Sequence, residues 1–369
     1  MKFIKRILRL LFRLSGLLLF AALIAAMVSP YIDPYRCWVF AFFGLAYPLL
    51  WLANLLNALV NIRFRILPRA ILITLLAGLP LMLRHYGASG PDKQAMSVSD
   101  AYTLISYNVH GFSDISGKHS VFDVQFRIHN LYTQEKADLI CMQEYPVRRN
   151  PSGGFNRNMN IPPLLPQNHF SWYEPDGIYM ESVLMTSTRH RILDRGIIYS
   201  PDAEDFAIYT DISFPEGTIR VYNVHLQSLM LKEERSLLKN STSGYMKKST
   251  LRQSWITASK LRRAFILRAY QAKCLAQHIQ QSPWPVIVAG DFNDTPASYA
   301  YRIVSRGLCD SFKAGGKGFS STFSESHYPI RIDHVFASPQ IKILSYERKA
   351  AGYSDHYPVI VRFTFGNND

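Results

Sequence analysis

The sequence predicts an α/β domain carried behind an all-α, strongly apolar N-terminal region. Residues 1–90 hold apolar segments near the ~20 residues that span a bilayer. From Tyr102 onward the texture changes to short apolar runs separated by polar loops. The clearest of these runs lies in PVIVAGDFND, Pro285–Asp294. Val286–Ala289 is unbroken, apolar and rich in β-branched residues, which suits a strand buried on both faces. It empties into Asp291, Phe292, Asn293 and Asp294, and the carboxyl end of a buried strand is where α/β sheets place ligand chemistry. Thr295 and Pro296 read as the N-cap and first residue of a following helix.

The apolar segments run Ile7–Val28, Cys37–Val60 and Ile66–Leu83. Lys2, Lys5, Arg6, Arg9 and Arg13 mark the N-terminus as cytoplasmic, and Arg63, Arg65 and Arg69 mark the loop between the second and third segments likewise. The Tyr31–Arg36 loop is nearly neutral, so the expectation is three spans with the C-terminal domain on the extracytoplasmic side. Residues 1–28 also have signal-peptide layout, and cleavage there would leave two spans and the same placement. No acid interrupts a span, which argues against a transporter or channel. The division expected is therefore 1–86 as membrane anchor, 87–100 as a linker with Gly, Ser and Pro, and 101–369 as the outer domain.

The 369 residues carry a formal net charge of +14, which suggests a polyanion binder until its distribution is considered. Residues 1–90 hold ten Lys/Arg against the single acid Asp33, while the rest holds 31 against 26. Most of the excess thus bears on topology. A second concentration lies in Leu229–Tyr270, with ten Lys/Arg against Glu233 and Glu234. Lys247 and Lys248 in it are candidate substrate-binding residues, an electrostatic lip for anionic substrate or lipid head groups as opposed to a merely solvated face. Cys37, Cys141, Cys274 and Cys309 are scattered, with no metal or disulfide spacing.

Within the outer domain, Tyr102–Tyr107 reads as a strand that hands over to Asn108. Val121–Lys136 has helical spacing, with Phe122, Phe126, His129 and Tyr132 marking one side. Asp138–Gln143 is a buried strand ending on Glu144. Residues 145–168 are Pro/Gly loop, and strand-like runs follow at 169–174, 183–187, 192–199, 206–212 and 218–224, the last leading to His225. Ala258–Gln281 carries one apolar helical face, Ala297–Ser305 is a short helix and Gly315–Phe323 is loop. Strand Arg331–Phe336 carries Asp333 and His334, and Asp355 and His356 precede the last strand, Val359–Phe365.

Strand ends thus deliver Asn108, Glu144, His225, Asp291, Asn293, Asp333, Asp355 and His356. Hard oxygen donors and imidazoles without a thiolate suit Mg²⁺ or Mn²⁺ better than zinc, and suit phosphate-ester hydrolysis. The strings ISYNVHGF, DLICMQE, VYNVHLQS, IVAGDFND, RIDHVFAS and YSDHYPV, in this order, resemble the endonuclease/exonuclease/phosphatase superfamily over about residues 101–365. That resemblance implies a four-layer α/β sandwich, two mixed sheets packed face to face with helices outside. It implies metal ligation by Asn108, Glu144 and Asp355, and a place beside the scissile phosphate for His225. Asp291 and Asn293 would orient the attacking water and phosphoryl oxygens. His356 would contact the phosphate, with Asp333 holding its ring.

The sequence departs from the family in three places. Glu181–Ser187 reads ESVLMTS where a Gly-Asn-type string is common, His110 stands where some nucleases carry an acid, and His334 reads as structural. The function expected is a membrane-anchored, metal-dependent phosphoesterase. Its substrate is nucleic acid or a lipid or inositol head group. The alternative is an inactive, membrane-tethered binding module of the same fold.

Overall fold

The computed structural model describes residues 2–62, 66–92, 101–114, 117–148, 165–171, 180–200, 203–228, 250–326 and 328–366. The expected basic loop with Lys247 and Lys248, most of the loop at 145–168, residues 172–174 and the linker from 93 to 100 lie outside them.

The N-terminal region is helical: α1 (Lys2–Val28), α2 (Pro34–Cys37), α3 (Val39–Leu45), α4 (Tyr47–Val60) and α5 (Leu67–Met82). Arg13–Tyr31 and Leu67–His85 are each long and apolar enough to cross a membrane. The second apolar segment differs from the single span expected, because α3 and α4 meet at a bend of 75° and make a third span only if counted together. Pro48 sits in the first turn of α4, where its missing N–H and fixed φ suit a new helix start better than a continuing one. Helices α1 and α4 are joined by carboxamides that periodicity did not single out. Asn54 Nδ2 donates to the Leu19 carbonyl (3.0 Å), and Asn57 Nδ2 donates to the Gly16 carbonyl (3.0 Å). Asn61 Nδ2 in turn reaches Asn57 Oδ1 at 2.8 Å.

Strand β1 (Tyr86–Gly87) follows α5, and the chain continues through β2 (Tyr102–Asn108), α6 (Val121–Gln134), β3 (Leu139–Arg148), β4 (Gln167–Phe170), β5 (Met180–Thr188), β6 (Arg191–Ser200), β7 (Ala203–Phe214) and β8 (Gly217–His225). Then come α7 (Thr250–Gln280), β9 (Val286–Asp291), α8 (Tyr299–Val304), β10 (Cys309–Asp310), α9 (Ser311–Gly315), β11 (Gly318–Phe319), β12 (Asp333–Ala337), β13 (Ile341–Arg348) and β14 (Val359–Phe365). Two six-stranded sheets form, ordered β10-β12-β9-β8-β7-β6 and β13-β14-β2-β3-β5-β4. Between them Leu104, Cys141, Ile219, Val221, Ile287, Val335, Val361 and Phe363 interdigitate. Outside one sheet lies α6, with Val124, Ile128 and Tyr132 on Ile105, Tyr107 and Ile140. Outside the other lie α7 and α8, with Ala272, Leu275, Ala300 and Val304 among Tyr222, Val224 and Val288. This is the expected four-layer sandwich, and each fully buried Val, Leu or Ile contributes roughly 1.5–3 kcal/mol.

Several local expectations are corrected. The cap of α8 is Ser298, whose Oγ accepts from Tyr301 N at 3.1 Å, and not Thr295; residues 295–298 close a turn first. Phe122 and Phe126 lie on the exposed side of α6, while Val124, Ile128 and Tyr132 face the sheet. Strand β13 was not read from the sequence. A register shift between Ile343 and Ser345 breaks its alternation. The stretch after α5 is tied to the sandwich: Tyr86 and Gly87 pair with Phe319 and Gly318, Gly90 N reaches the Gly316 carbonyl and Asp92 N the Leu344 carbonyl. That pairing also puts a strand into the Gly315–Phe323 loop.

Candidate active site

Parallel pairing assembles the site. Strand β8 runs parallel to β9 in a register that sets His225 beside Asp291. Strand β12 runs antiparallel on the other side of β9 and sets Asp333 opposite Asp291. In the second sheet, β2 parallel to β3 aligns Asn108 with Gln143, one residue before Glu144. Asn108 Nδ2 then crosses between the sheets to Asp291 Oδ2 (3.0 Å) and leans toward Glu144 Oε1 (3.4 Å). Adjacent strands approach so closely here that a Cβ on Gly290 would fall 1.9 Å from the Val224 carbonyl oxygen; its φ of +151° is also foreign to other residues.

Backbone strain gathers at the same place. Of the described non-glycine residues with positive φ, His110 (+46°), Phe112 (+57°), Glu144 (+53°) and Asn293 (+51°) border the site, and Lys136 alone lies elsewhere. Glu144 falls in the register shift between Met142 and Tyr145, a bulge that aims its side chain out of the ladder.

The acid–base chain is explicit. His356 Nδ1 lies 2.9 Å from Asp333 Oδ2, and His356 Nε2 lies 3.5 Å from Asp291 Oδ2. Burial alone would lower the His356 pKa, but the Asp333 and Asp291 carboxylates outweigh it and push it up to about 10. Burial raises the Asp291 carboxyl above its usual range, opposed by His356 and His225. Asn293 accompanies Asp291: its backbone N–H donates to Oδ1 (2.8 Å), and its amide donates to Asp291 Oδ2 (3.2 Å) and the Leu226 carbonyl (3.0 Å). His225 Nε2 faces Asp291 Oδ2 at 3.6 Å and Glu144 Oε1 at 3.7 Å, with no hydrogen bond among the described residues.

The fourth corner holds Asp355 and His110. His110 Nδ1 lies 3.4 Å from Asp355 Oδ1 and 3.6 Å from Glu144 Oε2, so an imidazole stands between two predicted metal carboxylates. Asn108 Oδ1 accepts from His110 N (3.1 Å), so Asn108 ties this corner to Asp291 and Glu144, which its Nδ2 reaches. The oxygen donors Glu144, Asp355 and Asn108 fit a hard divalent cation. Asp291, Asp333 and His356 also bring ligand atoms within 4.8 Å of one another, but their shortest contact is a hydrogen bond that already uses an imidazole nitrogen, as in an acid–base chain.

The residues expected from sequence therefore meet at one end of the sandwich, apart from Lys247 and Lys248, which lie outside the described residues. Others were missed. Ser354 Oγ donates to the Asn108 carbonyl (2.7 Å) and accepts from His356 N (3.1 Å). Thr322 Oγ1 accepts from Asp333 N (3.0 Å), and Gln143 donates to Asn223 across the sheets (2.7 Å). Ser354 and Asn223 sit inside the quoted strings and were findable there; Thr322 lies in a loop without local signal.

Residues 105–356 match the profile of the Endonuclease/Exonuclease/phosphatase family, and residues 8–85 match a domain of unknown function (DUF8431). Among solved structures, the endonuclease/exonuclease/phosphatase from Bacteroides vulgatus is 17% identical, with a TM-score of 0.50 over 72% of this chain and 99% of that one. That from Beutenbergia cavernae is 17% identical, with a TM-score of 0.49 over 72% of each chain. D. rerio TDP2, solved with a single-strand DNA product, is 17% identical, with a TM-score of 0.47 over 72% of this chain and 99% of that one. No curated protein matches the sequence. Identities this low speak to fold alone, whereas the family profile covers more than half of the chain. The chain belongs to the endonuclease/exonuclease/phosphatase family, whose members are hydrolases acting on phosphate esters.

Proposed function

We propose that the chain is a Mg²⁺- or Mn²⁺-dependent phosphoesterase, held on the extracytoplasmic face of a membrane by its N-terminal helices. The observation that carries this reading is the Asp333–His356–Asp291 chain flanked by His225 and Glu144. In it, Asp333 keeps His356 protonated, so the imidazolium offers a positive hydrogen bond to a phosphoryl oxygen. Asp291, with its raised proton affinity, takes the proton of the attacking water. Asn293 fixes the Asp291 carboxylate, and His225, whose Nε2 has no hydrogen bond among the described residues, presents that nitrogen to the phosphate. A cation held by Glu144 and Asp355, with Asn108 beside them, would polarise a phosphoryl oxygen.

The ends of α1 and α5 both meet the catalytic domain, while Lys2, Lys5 and Arg6 lie at the far end of α1; this supports an N-in, multi-pass anchor with the domain outside. The substrate is a phosphate ester of nucleic acid or of a lipid or inositol head group. Lys247 and Lys248 attract it by charge.

The test is full-length protein in nanodiscs with Mg²⁺, assayed on bis(p-nitrophenyl) phosphate, DNA, RNA, phospholipids and inositol phosphates. Turnover abolished by EDTA and by His225→Ala is expected. No turnover on any substrate, or turnover indifferent to EDTA, would overturn the reading. Protease added to intact cells should cut residues beyond 100, and protection there would reverse the topology.

A further inference from the structure

We propose that Arg331 and His334 are positioning residues that register the loop Asp291–Asp294 against the end of α5, so that the helical region helps to assemble the catalytic site as well as tethering it. The proposal rests on the phosphoesterase reading for its kinetic arm only.

Asp333 and His334 are neighbours on β12 and point to opposite faces. Asp333 turns to His356 in the site, and His334 turns outward into a pocket of Phe292, Tyr301 and Phe336 rings. The hydrogen bonds of His334 fix its tautomer. Arg331 is a permanent donor, and its Nη1 lies 2.9 Å from His334 Nδ1, which must therefore accept. The proton is left on Nε2, which donates to the Asp294 carbonyl at 2.9 Å. Burial, with Arg331 alongside, pushes the His334 pKa down to about 3, in keeping with this neutral form.

The other end of the chain is the helical region. Arg331 Nη2 donates to the carbonyl of Arg84, just past α5, at 2.9 Å, and to Asp310 Oδ2 at 2.8 Å. A continuous path therefore runs from the Arg84 carbonyl through Arg331 and His334 to Asp294, three residues after Asp291. A second, apolar contact runs beside it. Ala297 is fully buried in the helical core with Leu23, Tyr47 and Leu75, and a Cβ on Gly44 would lie 2.8 Å from the Ala297 carbonyl oxygen. The loop bearing Asp291 and Asn293 is thus held from outside by the helices. A misplacement of about 1 Å in a catalytic group can cost on the order of 10²-fold in rate.

The experiment uses the full chain in nanodiscs with Mg²⁺ and bis(p-nitrophenyl) phosphate, together with hydrogen exchange. His334→Phe keeps the aromatic packing and removes both hydrogen bonds. An alanine inserted between Met82 and Leu83 rotates the Arg84 carbonyl by about 100°. We expect His334→Phe to lower kcat roughly 10–100-fold with KM changed less than about twofold. Exchange over residues 292–298 should rise while the β13–β14 hairpin stays protected, and His334→Gln should recover most of both. The insertion should act in the same direction, and the combined variant should be no worse than the weaker single one.

Unchanged exchange at 292–298 in His334→Phe overturns the proposal, as does an insertion without effect on kcat or exchange. A uniform rise in exchange across both sheets would make these residues holders of the fold and also overturn it. If the wild-type chain shows no turnover, the phosphoesterase reading fails, and exchange alone still decides this inference.

Discussion

His356 and His334 are both buried imidazoles served by β12, yet they rest in opposite states. His356 is flanked by two carboxylates and stays protonated, its pKa pushed up to about 10. His334 is flanked by a guanidinium and a carbonyl and stays neutral, its pKa pushed down to about 3. Burial opposes the charge in both. The partner decides, and strand alternation distributes the partners: a site that needs a cation and a support that needs a neutral bridge sit back to back. Their stability contributions consequently run in opposite pH directions. The raised His356 contributes fully below about pH 6.5 and loses its contribution as pH climbs toward about 10. The lowered His334 contributes above about pH 6.5 and loses its contribution as pH falls toward about 3.

The largest effects are expected on the catalytic side. His356→Ala and Asp291→Ala should each lower kcat by about 10²–10⁴-fold, read on bis(p-nitrophenyl) phosphate; full turnover in either variant removes that residue from the chemistry. On the supporting side, Arg331→Met leaves the Asp310 carboxylate buried without its fork. It should destabilise the chain by about 3–5 kcal/mol, seen as a lower urea midpoint. Asp333→Asn sharpens the contrast itself. With one of its two carboxylates gone, His356 should titrate lower, and the alkaline loss of stability between about pH 6.5 and 9 should shrink by on the order of 2 kcal/mol. Urea midpoints of the two proteins running parallel across that range would show that Asp333 does not hold the proton. The smallest effect is expected at the basic segment. Lys247→Glu with Lys248→Glu should lower kcat/KM for an anionic substrate about two- to fivefold at low salt, and the difference should vanish near 0.5 M salt.

The catalytic half of this comparison was legible in the sequence and the supporting half was not. Asn108, Glu144, His225 and Asp291 each stand at the end of an apolar run, and Asp333 and His356 just before one, so a local pattern points at each of them. His334 stands beside Asp333 in the same string, but its partners are Arg331, Asp294 and the ring of Tyr301, and nothing in the spacing says which neighbours fold onto it. Arg331 and Asp310 are 21 residues apart, and Arg331 and Arg84 are 247 apart. Pairings at that separation are products of the fold. The bend after α3 had a sequence signal in Pro48, but the uncharged composition around it records solvent preference and not the direction of the axis, so the segment read as one span. Phe122 and Phe126 show the converse, because both have the right spacing for one face of α6 and yet share the outward one.

The carboxamides between α1 and α4 bear on how the chain matures. Asn54 and Asn57 are buried, and each donates to a carbonyl of α1, at Leu19 and Gly16. Leader-type processing after Ala26 would carry both acceptors away, leaving Asn57 Nδ2 without its acceptor and Asn54 Nδ2 with only the Leu50 carbonyl of its own helix. An unmade bond of that kind costs about 1–3 kcal/mol apiece. Although α1 has the layout of a signal peptide, these bonds tie it to α4, and we predict a mature N-terminus that still contains it, to be read by N-terminal sequencing.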